Sequence, residues 1–241
     1  MIELLSDPNA WASLLTLTVM EIVLGIDNLV FISVLTSRLA ANDAKRARAL
    51  GLSMALGFRI VLLLTLSWLI GLTAPVFSAF GHDFSWRDLI LLAGGLFLLY
   101  KATHEIHKGI EGEDEAGGGA VKAAFSAIVA QIIVIDIVFS VDSIITALGM
   151  AEEVIVMICA VILAMMVMFV ASGPISAFIN KHPTTKMLAL SFLLLVGASL
   201  VADGVGFHVP RGYLYFAMAF SGGVEVINVL AKRKSKPAGH S

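Results

Sequence analysis

Apolar residues in this chain run on without alternation, in stretches near 11–35, 49–71, 88–104, 123–148, 153–173, 187–203 and 212–231. Each is close to the 17 to 25 residues or so that carry a helix across the hydrocarbon core of a bilayer. Polar and helix-breaking residues punctuate the runs: Asn42-Asp43 with a basic cluster, Pro75, Gly81-His82-Asp83, a glycine-rich turn at 117–119, Lys181-His182-Pro183, and Val209-Pro210-Arg211-Gly212. The pattern predicts an all-α membrane protein with seven transmembrane helices.

Two runs are interrupted by polar groups in matching places. The first carries Glu21-Ile-Val-Leu-Gly-Ile-Asp27-Asn28 and the fourth Asp136-Ile-Val-Phe-Ser-Val-Asp142-Ser143. One constant offset pairs Glu21 with Asp136, Gly25 with Ser140, Asp27 with Asp142 and Asn28 with Ser143. An ionisable group in hydrocarbon costs on the order of 2.5 to 3.5 kcal/mol, so such groups face a protein interior or a water-filled path. Three spans separate the motifs, so two three-helix units enter the membrane from opposite sides. The expected organisation is one transporter domain over 1–231: a first repeat at about 11–104, an inverted second repeat at about 123–203, a seventh helix at about 212–231, and a basic cytosolic tail over 232–241. Gly95 with Gly197 and Lys101 with Asp203 extend the match weakly to the third helix of each unit.

Composition agrees with the runs: 59% hydrophobic, 14% charged, mean hydropathy +0.94, far too apolar for a water-soluble domain of this length. The net charge of −2 says less than its distribution. Alternate loops on one side hold only Arg87 and Arg211. The other side holds Arg38, Lys45, Arg46, Arg48, Lys108, Lys122, Lys181, Lys186, Lys232, Arg233, Lys234 and Lys236. Basic loops stay cytoplasmic, which places the N-terminus outside and the C-terminus in the cytosol. No cleavable signal peptide is expected, since Met1-Ile-Glu-Leu-Leu-Ser-Asp lacks a basic start. The lone Cys159 excludes an intramolecular disulfide framework and reads as a packing residue.

At about 100° per residue, Glu21, Gly25 and Asn28 share one helical stripe, as do Asp136, Ser140 and Ser143. Asp27 and Asp142 fall off these stripes, so they face different partners or the helix unwinds there. Glycine and serine make unwinding plausible. Glu21, Asp27, Asn28, Asp136, Asp142 and Ser143 are the candidate metal ligands, an all-oxygen set suited to Mg²⁺, Ca²⁺ or Mn²⁺. Ionised together in low dielectric they need a cation, and metal entry would expel protons. The plainer alternative is that these acids hydrogen-bond between packed helices.

Accessory candidates are Gly25, Ser140, Arg59, Glu225 and Asn228. Arg59 lies mid-span and suits a counter-charge to the acids. Glu225 and Asn228 share a face of the last helix and either extend a cation path or bond between helices. Lys101 is expected to snorkel to the interface. His104-Glu-Ile-His107 has the wrong spacing for a zinc-protease box; with Glu111, Glu113, Asp114 and Glu115 it reads as a solvated cytosolic loop. Met165, Met166 and Met168 read as packing residues, since neighbouring positions face different directions. No prosthetic group and no nucleic-acid partner is expected. The partners are a metal ion and the lipid bilayer, with self-association left open.

The two acidic motifs, together with Arg87-Asp-Leu-Ile-Leu-Leu-Ala-Gly-Gly-Leu-Phe-Leu and the stretches starting at His182-Pro and Pro210-Arg-Gly, resemble the TerC family of integral membrane proteins over nearly the whole chain. That resemblance implies kinship with LysE-type transporters, a place in the bacterial inner membrane, and metal-site roles for the six ligand candidates. The family includes Mn²⁺ exporters, so the implied function is a secondary transporter that exports a hard divalent cation, Mn²⁺ first, by proton antiport. A membrane scaffold that assists other membrane or exported proteins is the alternative. A membrane enzyme is discounted, because no nucleophile–base pair or cofactor motif occurs. Some relatives carry cytosolic nucleotide-sensing modules not seen in these residues, and tellurite is a poor substrate for an acidic site.

Overall fold

In hydrocarbon every backbone polar group must be satisfied within the chain, so uninterrupted apolar runs become helices. The computed structural model describes residues 7–37, 39–79, 81–111, 121–147 and 153–234. It contains helices α1 (Pro8–Thr36), α2 (Ala41–Leu64), α3 (Leu66–Gly71), α4 (Trp86–Glu111), α5 (Val121–Ala147), α6 (Val154–Lys181), α7 (Pro183–Gly204) and α8 (Arg211–Lys234). All but α3 are long and apolar enough to cross a membrane. The protein is an all-α membrane protein.

Local chemistry sets the ends. The Asp7 carboxylate accepts from the Asn9 N–H at 2.9 Å and Pro8 opens α1, satisfying a donor that the helix start leaves free. Thr65 ends α2, and its hydroxyl bonds back to the Val61 carbonyl at 2.9 Å. Ser85 caps α4 in reciprocal fashion: its hydroxyl accepts from the Asp88 N–H, and its own N–H donates to the Asp88 carboxylate at 2.9 Å.

Several elements differ from the sequence pattern. Between α3 and α4 the chain forms an antiparallel hairpin, β1 (Pro75–Ala79) with β2 (His82–Ser85), turning at Gly81 with φ of 79°. The run near 49–71 is two helices, α2 and α3. The α4 helix continues to Glu111, so His104 and His107 lie on a helix rather than in a loop; His104 stacks on Tyr100 and His107 meets Glu111 at 3.1 Å. Glu113, Asp114, Glu115, the glycine-rich stretch 117–119, residues 148–152 and tail residues 235–241 lie outside the described residues. The α6 helix runs through Pro174, which a membrane helix tolerates when neighbours re-satisfy the freed backbone. Most consequential is that α1 and α5 continue as regular helix through Gly25 and Ser140. Neither is unwound at its acidic motif.

The closest pairings are α4 with α7, α1 with α6 and α2 with α5; α2 also meets α6, and α1 meets α5 and α7. At the α4–α7 crossing Gly95 and Gly197 lie face to face, so near that a methyl group on Gly95 would stand 2.7 Å from the Gly197 carbonyl oxygen. Small residues let membrane helices approach in this way. Leu17, Phe31, Leu63, Ile132, Met168 and Leu190 fill the interior. Tyr213, Phe216, Phe220 and Ile227 leave α8 largely exposed along the rim of the bundle.

Candidate functional site

The stripes on α1 and α5 meet around Arg59 of α2. Arg59 is 2% exposed, Glu21 4% and Asp136 6%. The Arg59 Nη1 donates to Glu21 Oε2 at 2.5 Å, Nη2 to Asp136 Oδ1 at 3.1 Å and Nε to Ser140 Oγ at 3.0 Å. Ser140 donates in turn to Asp136 Oδ2 at 3.2 Å, and Asn28 Nδ2 donates to Asp136 Oδ1 at 3.3 Å. Arg59, Glu21, Asp136, Ser140 and Asn28 are thus one network. One guanidinium faces two carboxylates, so the ionised cluster holds one negative charge in excess where the low dielectric magnifies it.

Two features mark this centre as unfinished in bonding terms. The Asn28 side-chain oxygen is buried without a hydrogen-bond partner, an acceptor that folding normally satisfies. Beside Glu21, a void of about 10 Å³ is lined by Leu17, Leu63, Ile144, Met157, Ala160 and Val161, room for about one water-sized particle. Gly25 lies on the same α1 stripe, with Met168 of α6 directly over it.

The remaining candidates lie elsewhere. Because α5 is regular, Asp142 points away from the Ser140 stripe. It ends, 2% exposed, in ion pairs with Arg87 at the start of α4 and Arg211 at the start of α8. Ser143 donates to the Ser140 carbonyl at 3.3 Å and lines a half-open cavity of about 400 Å³ with Val19, Met20, His208, Arg211 and Tyr215. The Asp27 side chain lies outside the described residues. Glu225 accepts from the hydroxyls of Thr184 and Thr185, at 2.5 and 3.0 Å, in the first turn of α7, and Asn228 is exposed on α8; neither joins the centre. Among the described residues, no group of three or more His, Cys, Asp or Glu side chains is placed to hold a metal. Of the described ligand candidates, Glu21, Asn28 and Asp136 share one network, while Asp142 bonds to Arg87 and Ser143 to the Ser140 backbone carbonyl.

Sequence reasoning missed the partners of Asp142 and the neighbour of Gly25. A signal existed for the first: Arg87 and Arg211 are the two basic residues that stand against the charge bias of the loops. For the second there was none, since Met168 sits in an apolar run.

The model of the family described as integral membrane protein TerC matches residues 6–238. The UPF0053 inner membrane protein YoaE of Escherichia coli K12 is 53% identical over 232 residues, 96% of this chain and 45% of YoaE. The UPF0053 protein of Haemophilus influenzae is 48% identical over 237 residues, 98% of this chain and all of that protein. YgdQ of Escherichia coli K12, also a UPF0053 inner membrane protein, is 48% identical over 231 residues, 96% of this chain and 97% of its own length. The chain thus spans less than half of YoaE and nearly the whole of the shorter relatives. No solved structure matches it.

Proposed function

This chain belongs to the TerC family of integral membrane proteins, and from that premise we propose that it is a secondary transporter of the inner membrane exporting a hard divalent cation, Mn²⁺ first, in exchange for protons. The observation that carries the reading is the buried Glu21–Arg59–Asp136 network, two carboxylates around one guanidinium with an unpartnered Asn28 oxygen beside them. Arg59 acts as the resident counter-charge. An entering divalent ion takes its place between Glu21 and Asp136, with Asn28 as an amide donor, and Arg59 withdraws. When the ion leaves, protons and Arg59 neutralise the acids again. Oxygen donors suit a hard cation.

The need for coupling follows from energetics. Moving a positive charge out of a cell with a negative interior costs about 2.3 kcal/mol per charge per 100 mV, so a divalent ion needs a coupled driving force. In this reading Asp27, Asp142 and Ser143 serve as stations along the path, and the Asp142 ion pairs with Arg87 and Arg211 close its outer end. The helix pairings support an inverted repeat: exchanging α1, α2 and α4 with α5, α6 and α7 turns the α1–α6 pair into α5–α2 and maps α4–α7 onto itself. Inverted repeats commonly build their substrate site at the interface between the halves.

The test is flux through purified protein in liposomes with imposed pH gradients. Mn²⁺ transport is expected to follow the gradient at zero membrane potential, and Asp136→Asn and Asp142→Asn to abolish it while the protein stays folded and inserted. Flux indifferent to the gradient would remove the antiport step. Wild-type flux in Asp136→Asn would remove the central network from the path and favour the scaffold reading.

A further inference from the structure

The helix that covers the α1 acids brings sulfur rather than oxygen. Met157, Val161, Ala164, Met168 and Ser172 recur at spacings of three or four and are all buried, on a helix closely paired with α1; Met157 and Val161 share a void with Leu17 and Glu21 of α1, and Met168 meets Gly25. A methyl group on Gly25 would overlap Met168 Sδ and stand 3.0 Å from its Cε. The thioether therefore rests on the bare Cα of Gly25, with Glu21 one turn before it and Asn28 one turn after. Met157 lines the small void against Glu21. At the offset that pairs the motifs, Gly25 corresponds to Ser140, whose hydroxyl receives Arg59 from α2. Met168 thus occupies on α6 the place that Arg59 occupies on α2.

Resting on the transport reading above, we propose that Met168 Sδ is a ligand of the transported cation, together with Glu21 and the unpartnered Asn28 oxygen, and that it sets the substrate class as a first-row transition-metal ion rather than Mg²⁺ or Ca²⁺. Mg²⁺ and Ca²⁺ take oxygen ligands, and Mg²⁺ sheds water reluctantly into a site that lacks one. Mn²⁺ and its softer neighbours accept a mixed donor set, and soft sulfur donors favour the later ions. An all-oxygen centre would discriminate poorly between Mn²⁺ and Mg²⁺, since both fit octahedral oxygen sites. A thioether over Gly25 supplies the discrimination. Gly25 is needed because any side chain there would displace the sulfur.

The test uses the full chain with Cys159→Ser, which removes the only thiol, so that any sulfur bound to metal is a thioether. X-ray absorption of the Cd²⁺-loaded protein is expected to show a sulfur neighbour that disappears in Met168→Leu, a change that keeps the volume and removes the donor. In liposomes, Mg²⁺ is expected to compete with Mn²⁺ at least tenfold better in Met168→Leu than in the parent, a change of about 1.4 kcal/mol in relative affinity. Met168→Gln, which offers oxygen at a similar reach, is expected to admit Mg²⁺ further and provides a second variant should the first fail to fold. Parent protein that carries Mn²⁺ but binds Cd²⁺ with no sulfur neighbour, or a Mn²⁺-to-Mg²⁺ ratio unchanged in both variants, overturns the ligand assignment alone. Parent protein that neither binds nor carries any divalent ion overturns this assignment and the transport reading together.

Discussion

Arg59 donates through three nitrogens to acceptors on two other helices, so it holds α1, α2 and α5 together as well as balancing charge. Removing one partner of a buried ion pair is far more harmful than removing both, typically about 3 to 5 kcal/mol, because the partner left behind stays buried and uncompensated. Arg59→Gln is expected to lower the unfolding temperature in EDTA, and added Mn²⁺ to raise it by more than in the wild type, since the ion can then supply the missing positive charge. Thermal unfolding of purified protein with and without Mn²⁺ checks this; equal Mn²⁺-induced shifts would mean that metal and Arg59 do not share a place. At this scale the sequence was a partial guide. A lone arginine in an apolar run must have a partner, and two acids on neighbouring spans were the natural choice. The partners of Asp142 were hidden because they lie 55 and 69 residues away, on helix starts whose position no spacing rule fixes. Met168 was invisible because a thioether in an apolar run has the same pattern as leucine.

Helix α1 stays regular through Gly25, so that glycine acts through its missing side chain rather than through backbone freedom. Gly95 and Gly197 act alike at the α4–α7 crossing, where the added methyl of Gly95→Ala would meet backbone, 2.7 Å from the Gly197 oxygen and 2.9 Å from the Val201 nitrogen. Backbone cannot rotate aside as a side chain can, so the helices must part; overpacking of this kind costs about 1 to 3 kcal/mol. Gly57 on α2 provides the contrast, with nothing within 4 Å of a methyl group built there. Gly57→Ala is expected to be neutral or to stabilise by about 0.5 to 1 kcal/mol, as alanine for glycine does inside a helix, while Gly95→Ala destabilises. Denaturation in mixed micelles separates the two, and an equal loss in both would argue that α4 and α7 do not cross at these glycines. The seven spans were legible because length and hydropathy decide them. Their ends were not, because α4 and α6 keep their backbone ladders going into polar turns after the apolar run stops. The β1–β2 hairpin was hidden for the opposite reason: its strands are too short, at 5 and 4 residues, to show a period.

Across the whole molecule, charge and burial sort together. Arg87 and Arg211, the two basic residues on the sparsely charged side, both point at Asp142 and are only about a quarter exposed, at 24% and 21% of their side-chain surface. They are therefore committed to an acid inside the bundle and carry little of the free loop charge that orients a membrane protein. Discounting them sharpens the asymmetry that the sequence showed, and the seven candidate spans among the described residues are an odd number, which would put the termini on opposite faces. We expect the N-terminus outside and the C-terminus in the cytosol. Alkaline phosphatase fused after α8 should be inactive, green fluorescent protein at the same site should fluoresce, and a cysteine placed before α1 should react with an impermeant reagent in intact cells. The discriminating variant is Arg87→Ala with Arg211→Ala. If the two arginines serve Asp142 rather than topology, the double substitution leaves every reporter unchanged and lowers thermal stability, because the buried Asp142 loses both guanidinium partners. Reporters that invert in the double variant, or a C-terminal phosphatase that is active in the unaltered chain, would overturn the orientation and with it the assignment of the Asp142 ion pairs to the outer end of the path.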